Sequence, residues 1–159
     1  MLVRFIDKSQ FTVIGKMGKG PAEQGFSWIP PLWQEANDSF AEISSLVKLD
    51  DDGNMVGFWG AMSDVSETFQ RWAEEGKYVA GCEVKDDAIA PNGWTKWVIP
   101  SFKYAVAACT QESYQSVFRQ MVDEYLPKHD YQIVGAIHEF YDPQSPPGEL
   151  SLYFPIEKK

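Results

Sequence analysis

Cysteine and histidine are scarce in this chain, with two of each, and basic side chains are outnumbered, 14 Lys and Arg against 23 Asp and Glu. Each shortage argues against a class of protein. Cys82 and Cys109 form no Cys-x-x-Cys pair, and each sits in an apolar stretch. Buried, reduced thiols are therefore favoured over a disulfide framework or a reactive cysteine. His129 and His138 stand apart from any spacing that would hold zinc, so no metal is expected. The net charge is −9, the acids are spread evenly along the chain, and no basic stripe is present. Such a surface repels phosphates, which argues against direct nucleic-acid binding and against docking on an anionic membrane. No apolar run approaches the ~18 residues of a membrane span. The opening Met1–Asp7 lacks the apolar segment of a secretory signal, so the expected location is cytoplasmic. Glycine-rich phosphate loops, dinucleotide fingerprints and nucleophile elbows are also missing, and no cofactor is implied.

What the chain does have is aromatic surface: 14% of its 159 residues, as 6 Trp, 7 Tyr and 10 Phe. The length suits one domain with a core of its own, and we read residues 1–159 as a single unit. Large aromatics are costly to leave in water, so the core is unusually aromatic or the molecule encloses an aromatic-lined cavity.

The segment 5–16 reads as a strand, followed by a glycine-rich stretch over 18–25. Pro30 and Pro31 are placed to open a helix, because proline is tolerated in a first turn. Trp33, Ala36, Phe40, Ile43 and Val47, spaced 3, 4, 3 and 4, give it one apolar face. Residues 55–62 and 78–84 read as strands, with 63–76 a loop or short helix between them. Ile99-Pro100 leads into a strand over 102–109. Thr110 then caps a second helix whose apolar face is Tyr114, Val117, Phe118, Met121, Val122 and Tyr125, ended by Pro127. Strands over 132–141 and 150–156 follow. The order predicts an α+β fold: duplicated β-α-β-β modules, about 1–86 and 94–159, forming a curved antiparallel sheet with two main helices and a central ligand cleft. Residues 56–64 lie over 134–142 at a constant offset, which puts Ala61 of the first half in the place equivalent to Glu139.

Glu139 is the most informative residue. Alternation along its strand puts it on a face with Ile133, Gly135, Ile137 and Tyr141, while Val134, Ala136, His138 and Phe140 form the other. Both faces are otherwise largely apolar, so the strand is expected to be central, where a charged and unpaired carboxylate costs several kcal/mol to bury. Two readings stand: Glu139 reaches solvent at an edge or pairs with a fixed cation, or it forms the floor of an aromatic pocket that selects cationic or hydrogen-bond-donating ligands. Candidate walls are Trp28, Trp33, Trp59, Trp94, Trp97, Tyr104, Tyr141 and Tyr153. Core packing is an equal explanation for any one of the tryptophans, and is preferred for Trp33. Asp50, Asp51 and Asp52 read as a solvated turn, since they lack calcium-loop spacing. His138 reads as structural, because neighbours on a strand face opposite ways.

Phe11-Thr-Val-Ile-Gly15, Tyr78-Val-Ala-Gly81, Pro91-Asn-Gly-Trp94, Ile99-Pro100 with Tyr104-Ala105, Gly135…Glu139-Phe-Tyr141 and Tyr153-Phe-Pro155-Ile156 occur in that order. In this the chain resembles the GyrI-like effector-binding domain of AraC-type and MerR-type bacterial regulators, along nearly all its length. The resemblance implies the duplicated fold and the binding of small amphipathic molecules, often lipophilic cations, beside a buried Glu. Glu139, Tyr141 and Tyr104 match the family positions, and Trp94, Trp28, Trp59 and Tyr153 are the further candidate ligand contacts. The chain starts at its first strand with no helix-turn-helix before it, so we expect the standalone form carried on integron cassettes, acting alone, as a homodimer or with a separate DNA-binding partner. Some standalone relatives look like hydrolases of cyclopropane-bearing toxins, which here implies Glu139 as general base and Tyr104 as proton donor; no catalytic residue is assigned otherwise.

Overall fold

The computed structural model describes all 159 residues. Nine strands make one antiparallel sheet: β1 (Val3–Lys8), β2 (Phe11–Pro21), β3 (Phe58–Ser63), β4 (Glu75–Val84), β5 (Thr95–Ile99), β6 (Phe102–Thr110), β7 (Tyr131–Ile133), β8 (His138–Tyr141) and β9 (Glu149–Lys158). Their lateral order is β1-β6-β9-β8-β3-β4-β2-β5, with β7 also beside β9. The fold is α+β, with a curved sheet and two main helices. No helix is long and apolar enough to cross a membrane.

The order contains a reciprocal exchange. β1 leads into β2 along the chain but pairs with β6, while β5 leads into β6 but pairs with β2. At the middle, β3 pairs with β8, matching Phe58 to Tyr141, Trp59 to Phe140 and Gly60 to Glu139. The side chains of β3 alternate: Phe58 and Met62 pack toward the helices, Trp59 and Ala61 toward the opposite face. Ala61 therefore does not stand in the place of Glu139; the offset suggested by the sequence turns the strand over, and the residue across from the acid is Gly60.

Both helices lie on one face. Helix α1 (Gly25–Asp38) covers Ile14, Tyr78, Ala80 and Cys82, and helix α2 (Tyr114–Gln120) covers Ala105, Ala107, Leu152 and Phe154. The other face is filled by an aromatic cluster that includes Phe11, Trp59, Trp97, Tyr104 and Tyr153. Much of the aromatic excess is thus core. His138 belongs to this face, where its Nδ1 accepts the Met62 N–H at 3.0 Å and complete burial pushes its pKa down to about 3. The role is structural. Burial likewise raises the Cys82 thiol to about 12 and the Cys109 thiol to about 11, and both cysteines are free.

Several elements depart from the sequence reading for local reasons. The segment 5–16 is broken at Gln10, whose N–H donates to Ser101 Oγ at 2.8 Å, so β1 and β2 serve different neighbours. The glycine-rich stretch continues β2 to Pro21, since Gly18 and Gly20 leave room for Leu32 and Trp28 of α1. Pro30 and Pro31 lie inside α1 and not at its start; each withholds one intrahelical donor. Beyond Asp38 the chain tightens into 3-10 turns at Phe40–Glu42 and Ser44–Leu46 before Val47 bridges to Val84. β5 was not expected before Ile99. Helix α2 runs on through a π-helical turn, Met121–Tyr125, and a last turn, Leu126–Lys128, that includes Pro127. Thr110 closes β6, and its Oγ1 accepts the Ser113 N–H at 3.2 Å. The span 132–141 is two strands, so the alternation expected from Ile133 onward holds only within β8.

The ambiguous residues 63–76 form an ordered loop organised by one carboxylate. Asp64 Oδ1 accepts the Thr68 N–H at 2.9 Å and the Gln70 N–H at 3.2 Å, and Oδ2 accepts the Thr68 hydroxyl at 2.7 Å. Partial desolvation works to raise the pKa of this carboxyl, but the bonds from Thr68, Gln70 and Ser63 outweigh it and hold it well below the usual range. Ser63 Oγ accepts the Phe69 N–H, and the Phe69 carbonyl accepts the Ala136 N–H at 2.8 Å, which ties the loop to the chain just before β8. We expect Asp64→Ala to cost about 1 kcal/mol and to speed amide exchange over residues 67–72 without melting the sheet. Since the folded pKa is depressed, this contribution is complete above the ordinary carboxyl range and fades as pH falls through the lowered value. Hydrogen exchange read by mass spectrometry at pH 7 and in acid checks both statements.

Candidate functional site

The short strand β8 lies between β3 and β9, and that central place carries Glu139 into the interior under both helices. The side chain is 8% exposed. Its oxygens are taken by tyrosines from three elements. Tyr78 of β4 donates to Oε1 at 2.5 Å, Tyr141 of β8 donates to Oε1 at 3.1 Å, and Tyr114, the first residue of α2, donates to Oε2 at 2.5 Å. The Trp33 indole N–H of α1 donates to the Tyr78 hydroxyl at 2.9 Å. Because that oxygen receives the indole proton, its own proton is directed at the carboxylate, and the relay runs one way.

No ion pair reaches Glu139; the four in the protein are Lys8–Glu83, Lys48–Glu83, Lys16–Glu35 and Lys77–Glu67. Burial raises the Glu139 pKa, and the bonds from Tyr114, Tyr78 and Tyr141 offset this only in part. The same burial, with the nearby carboxylate second to it, raises the Tyr78, Tyr114 and Tyr141 hydroxyls, so all three remain proton donors. The site is an acid in a cage of neutral donors, with no protein cation to balance it.

Gly60 makes the cage fit. A Cβ built there would collide with the Tyr78 hydroxyl and with Glu139 Oε1. Even alanine would force apart the acid and Tyr78. Nothing in the sequence marks this glycine among the others; the cross-strand register to Glu139 does.

Two cavities border the cage. One, of about 300 Å³, is lined by Met62, Arg71, Trp72, Tyr114, Gln115, Phe118, Ala22, Ala136 and Ile137. The other, also about 300 Å³, is lined by Trp33, Asn37, Phe58, Gln111 and Tyr141. Tyr114 thus stands in the wall of one and Tyr141 in the wall of the other. Trp72 is stacked on Trp28 with ring centroids 5.5 Å apart, and its indole donates to the Lys77 carbonyl. Trp33 meets the Tyr141 ring edge-on at 5.3 Å.

The candidate residues read from the sequence fall into three groups. Glu139 and Tyr141 meet at the cage. Trp28 backs Trp72, one step behind a cavity wall. Tyr104, Trp59 and Tyr153 lie across the sheet from Glu139: Trp59 donates to Glu83 at 3.0 Å, and the Tyr104 hydroxyl is buried without a hydrogen-bond partner. Tyr104 and Glu139 therefore do not face one reacting atom, and the acid–tyrosine pair expected for hydrolysis is not formed by these two residues. Trp94 packs in the α1-side core, where it donates to Glu42 at 2.9 Å and carries the Lys16 ammonium 4.2 Å over its ring. Trp97 is held by Glu67 at 2.8 Å, within the opposite-face cluster. Trp33, expected to be plain core, is a cavity wall and the outer member of the relay. Tyr78, Tyr114, Trp72 and Gly60 escape the sequence reading; Tyr78 sits inside the Tyr78-Val-Ala-Gly81 motif, and Tyr114 enters the sequence pattern only through the apolar face of α2.

A raised folded pKa fixes the sign of the effect of Glu139 on stability. Its contribution is most favourable below the ordinary carboxyl range, where the group is neutral in both states, and declines as pH rises through the raised value. Glu139→Gln is accordingly expected to match the wild type near pH 4 and to melt higher at pH 8, by roughly 2–4 °C for each kcal/mol of relieved desolvation. Thermal melts across that range check it; a variant that melts lower at pH 8 would mean that the tyrosine bonds outweigh burial.

Comparison with known proteins places this geometry. The chain is 33% identical over 92 residues to the transcriptional regulator BrlR of Pseudomonas aeruginosa, a stretch covering 50% of this chain and 32% of that protein. It thus spans about a third of that regulator's length. In structure it is similar to SAV2435 bound to tetraphenylphosphonium (TM-score 0.72, 14% identity, 99% of this chain and 94% of that one). It is also similar to the Vibrio cholerae integron cassette protein VCH_CASS2 (TM-score 0.65, 15% identity, 98% and 95%) and to the C-terminal domain of EcmrR (TM-score 0.65, 14% identity, 98% of that chain). At these identities the structural likeness establishes the fold. A family profile matches residues 4–156, and by that match the chain belongs to the Cass2 family of integron-associated effector-binding proteins.

Proposed function

We propose that this protein binds small amphipathic compounds that are hydrophobic and cationic, in the space between the helices, with Glu139 as counter-charge. One observation carries the reading: an ionisable carboxyl is buried behind Tyr114 and Tyr141, each in the wall of one aromatic-lined cavity, and has no cation of the protein's own. A guest bearing positive charge restores the balance that burial upsets, and aromatic faces add about 0.5–2 kcal/mol each through attraction to the cation. The flat apolar remainder of such a guest gains about 25 cal/mol per Å² removed from water. Tyr114 and Tyr141 occupy the carboxylate while the site is empty and are the groups that turn aside on binding; Tyr78, held by Trp33, stays. Membership of an effector-binding family supports the reading, as does the tetraphenylphosphonium complex of SAV2435. Two free, buried cysteines agree with a reducing compartment, and we place the protein in the cytoplasm.

Tetraphenylphosphonium and tetraphenylborate have nearly the same shape and opposite charge, which isolates the electrostatic contribution. Titration calorimetry at pH 8 is expected to show saturable binding of the phosphonium and none of the borate. Glu139→Gln should weaken the phosphonium by about tenfold or more. Protonation removes the counter-charge, so wild-type affinity should fall as pH is lowered through the raised Glu139 pKa, while the Gln variant stays flat. Equal affinity of wild type and variant for the phosphonium would remove Glu139 from the role given to it.

A further inference from the structure

We propose that the cavity beside Tyr114 selects compounds carrying a carboxylate or other strong acceptor in addition to their cationic group, and that Arg71 is the residue that reads it. The inference deepens the function proposed above and rests on it.

Three observations lead there. The walls of that cavity are apolar and aromatic, with Met62, Trp72, Tyr114 and Phe118 among them, yet they include a guanidinium. Arg71 takes part in none of the four ion pairs of the protein, as is true of nine other basic side chains, so its guanidinium is uncommitted. The arginine also sits on an ordered loop: the bonds to Asp64 fix residues 68–70 immediately before it, and the Trp72 indole N–H to the Lys77 carbonyl fixes the side chain immediately after.

The chemistry of the cavity is therefore two-ended. Behind Tyr114 lies an acid that seeks a cation or a donor. In the same wall lies a cation that seeks an acceptor. A guest with positive charge alone satisfies the first and is repelled by the second. A guest with both charges satisfies each, and the planar guanidinium suits a carboxylate through two parallel hydrogen bonds. Because Arg71 is exposed, water and salt weaken its pull, and its effect is one of preference among guests and not of capture.

Rhodamine B and its ethyl ester supply the probes. They share one xanthylium cation, and only the acid carries a carboxylate. Dissociation constants are measured by fluorescence anisotropy at low ionic strength for wild type, Arg71→Gln, Arg71→Lys and Glu139→Gln. The wild type is expected to bind the acid about two- to fivefold more tightly than the ester. Arg71→Gln should abolish that preference without weakening the ester, and Arg71→Lys should retain part of it. Raising the salt to about 0.5 M should shrink the preference in the wild type. The proposal is overturned if the wild type binds the ester as tightly as the acid, or if the preference survives in Arg71→Gln. Glu139→Gln separates this outcome from failure of the underlying reading. If it weakens both dyes while Arg71→Gln changes nothing, Glu139 keeps its role and Arg71 loses its own. If neither dye binds the wild type, both readings fall.

Discussion

A carboxyl group inside a protein is unstable as a charge unless something answers it. Here the answer comes from neutral donors. Tyr78, Tyr114 and Tyr141 supply hydrogen bonds to Glu139 but no positive charge, and burial still raises its pKa above the ordinary value. The arrangement is intermediate between a closed salt bridge, in which there is nothing left to bind, and a bare buried acid, which simply takes up a proton. Much of the surrounding structure serves this balance. β8 is short and central, Gly60 gives up its side chain across from the acid, and Trp33 orients Tyr78 from the helix above.

The two faces of the sheet divide the labour. On one, Trp59, Tyr104, Tyr153 and Phe11 fill a dry interior, and His138 is spent on a backbone N–H. On the other, the helices stand far enough apart to leave room between them and the sheet. Adjacent residues of one four-residue strand thus have opposite fates: His138 is kept neutral by packing, while Glu139 is held by tyrosines that line the two cavities.

The architecture was legible because its signals are local. The apolar spacing of Tyr114 to Tyr125 marked the second helix, that of Trp33 to Val47 marked the first only as far as Asp38, and the long strands declared themselves through Phe11-Thr-Val-Ile and Tyr78-Val-Ala-Gly. Glu139 stood out because a lone acid in an apolar strand conflicts with its surroundings. What escaped were facts of register. Which side chains of β3 share the face of the acid depends on a single-residue shift, and such a shift turns every side chain over; Ala61 falls on the far face, and Gly60 lies across from Glu139. The same limit explains Tyr104, a residue in a motif resembling the family's that lies on the far side of the sheet. Of the tyrosines that reach Glu139, strand alternation links only Tyr141; Tyr78 and Tyr114 come from positions 61 and 25 residues away, and no periodicity links them. Asp64 organises its loop through contacts that propensity does not encode, and left-handed backbone at Glu67 and Phe69 hid that loop further.

The exchange of β1 and β5 between the two ends of the sheet bears on how a guest gets in. One ladder of hydrogen bonds runs unbroken from edge to edge, and each half of the chain closes the flank of the other. A molecule laced in this way has no hinge on which two lobes swing apart. The openings beside Tyr114 and Tyr141 are framed by side chains, Trp72 and Phe118 at one and Trp33 and Phe58 at the other, so their width is a property of a few rings and not of the scaffold.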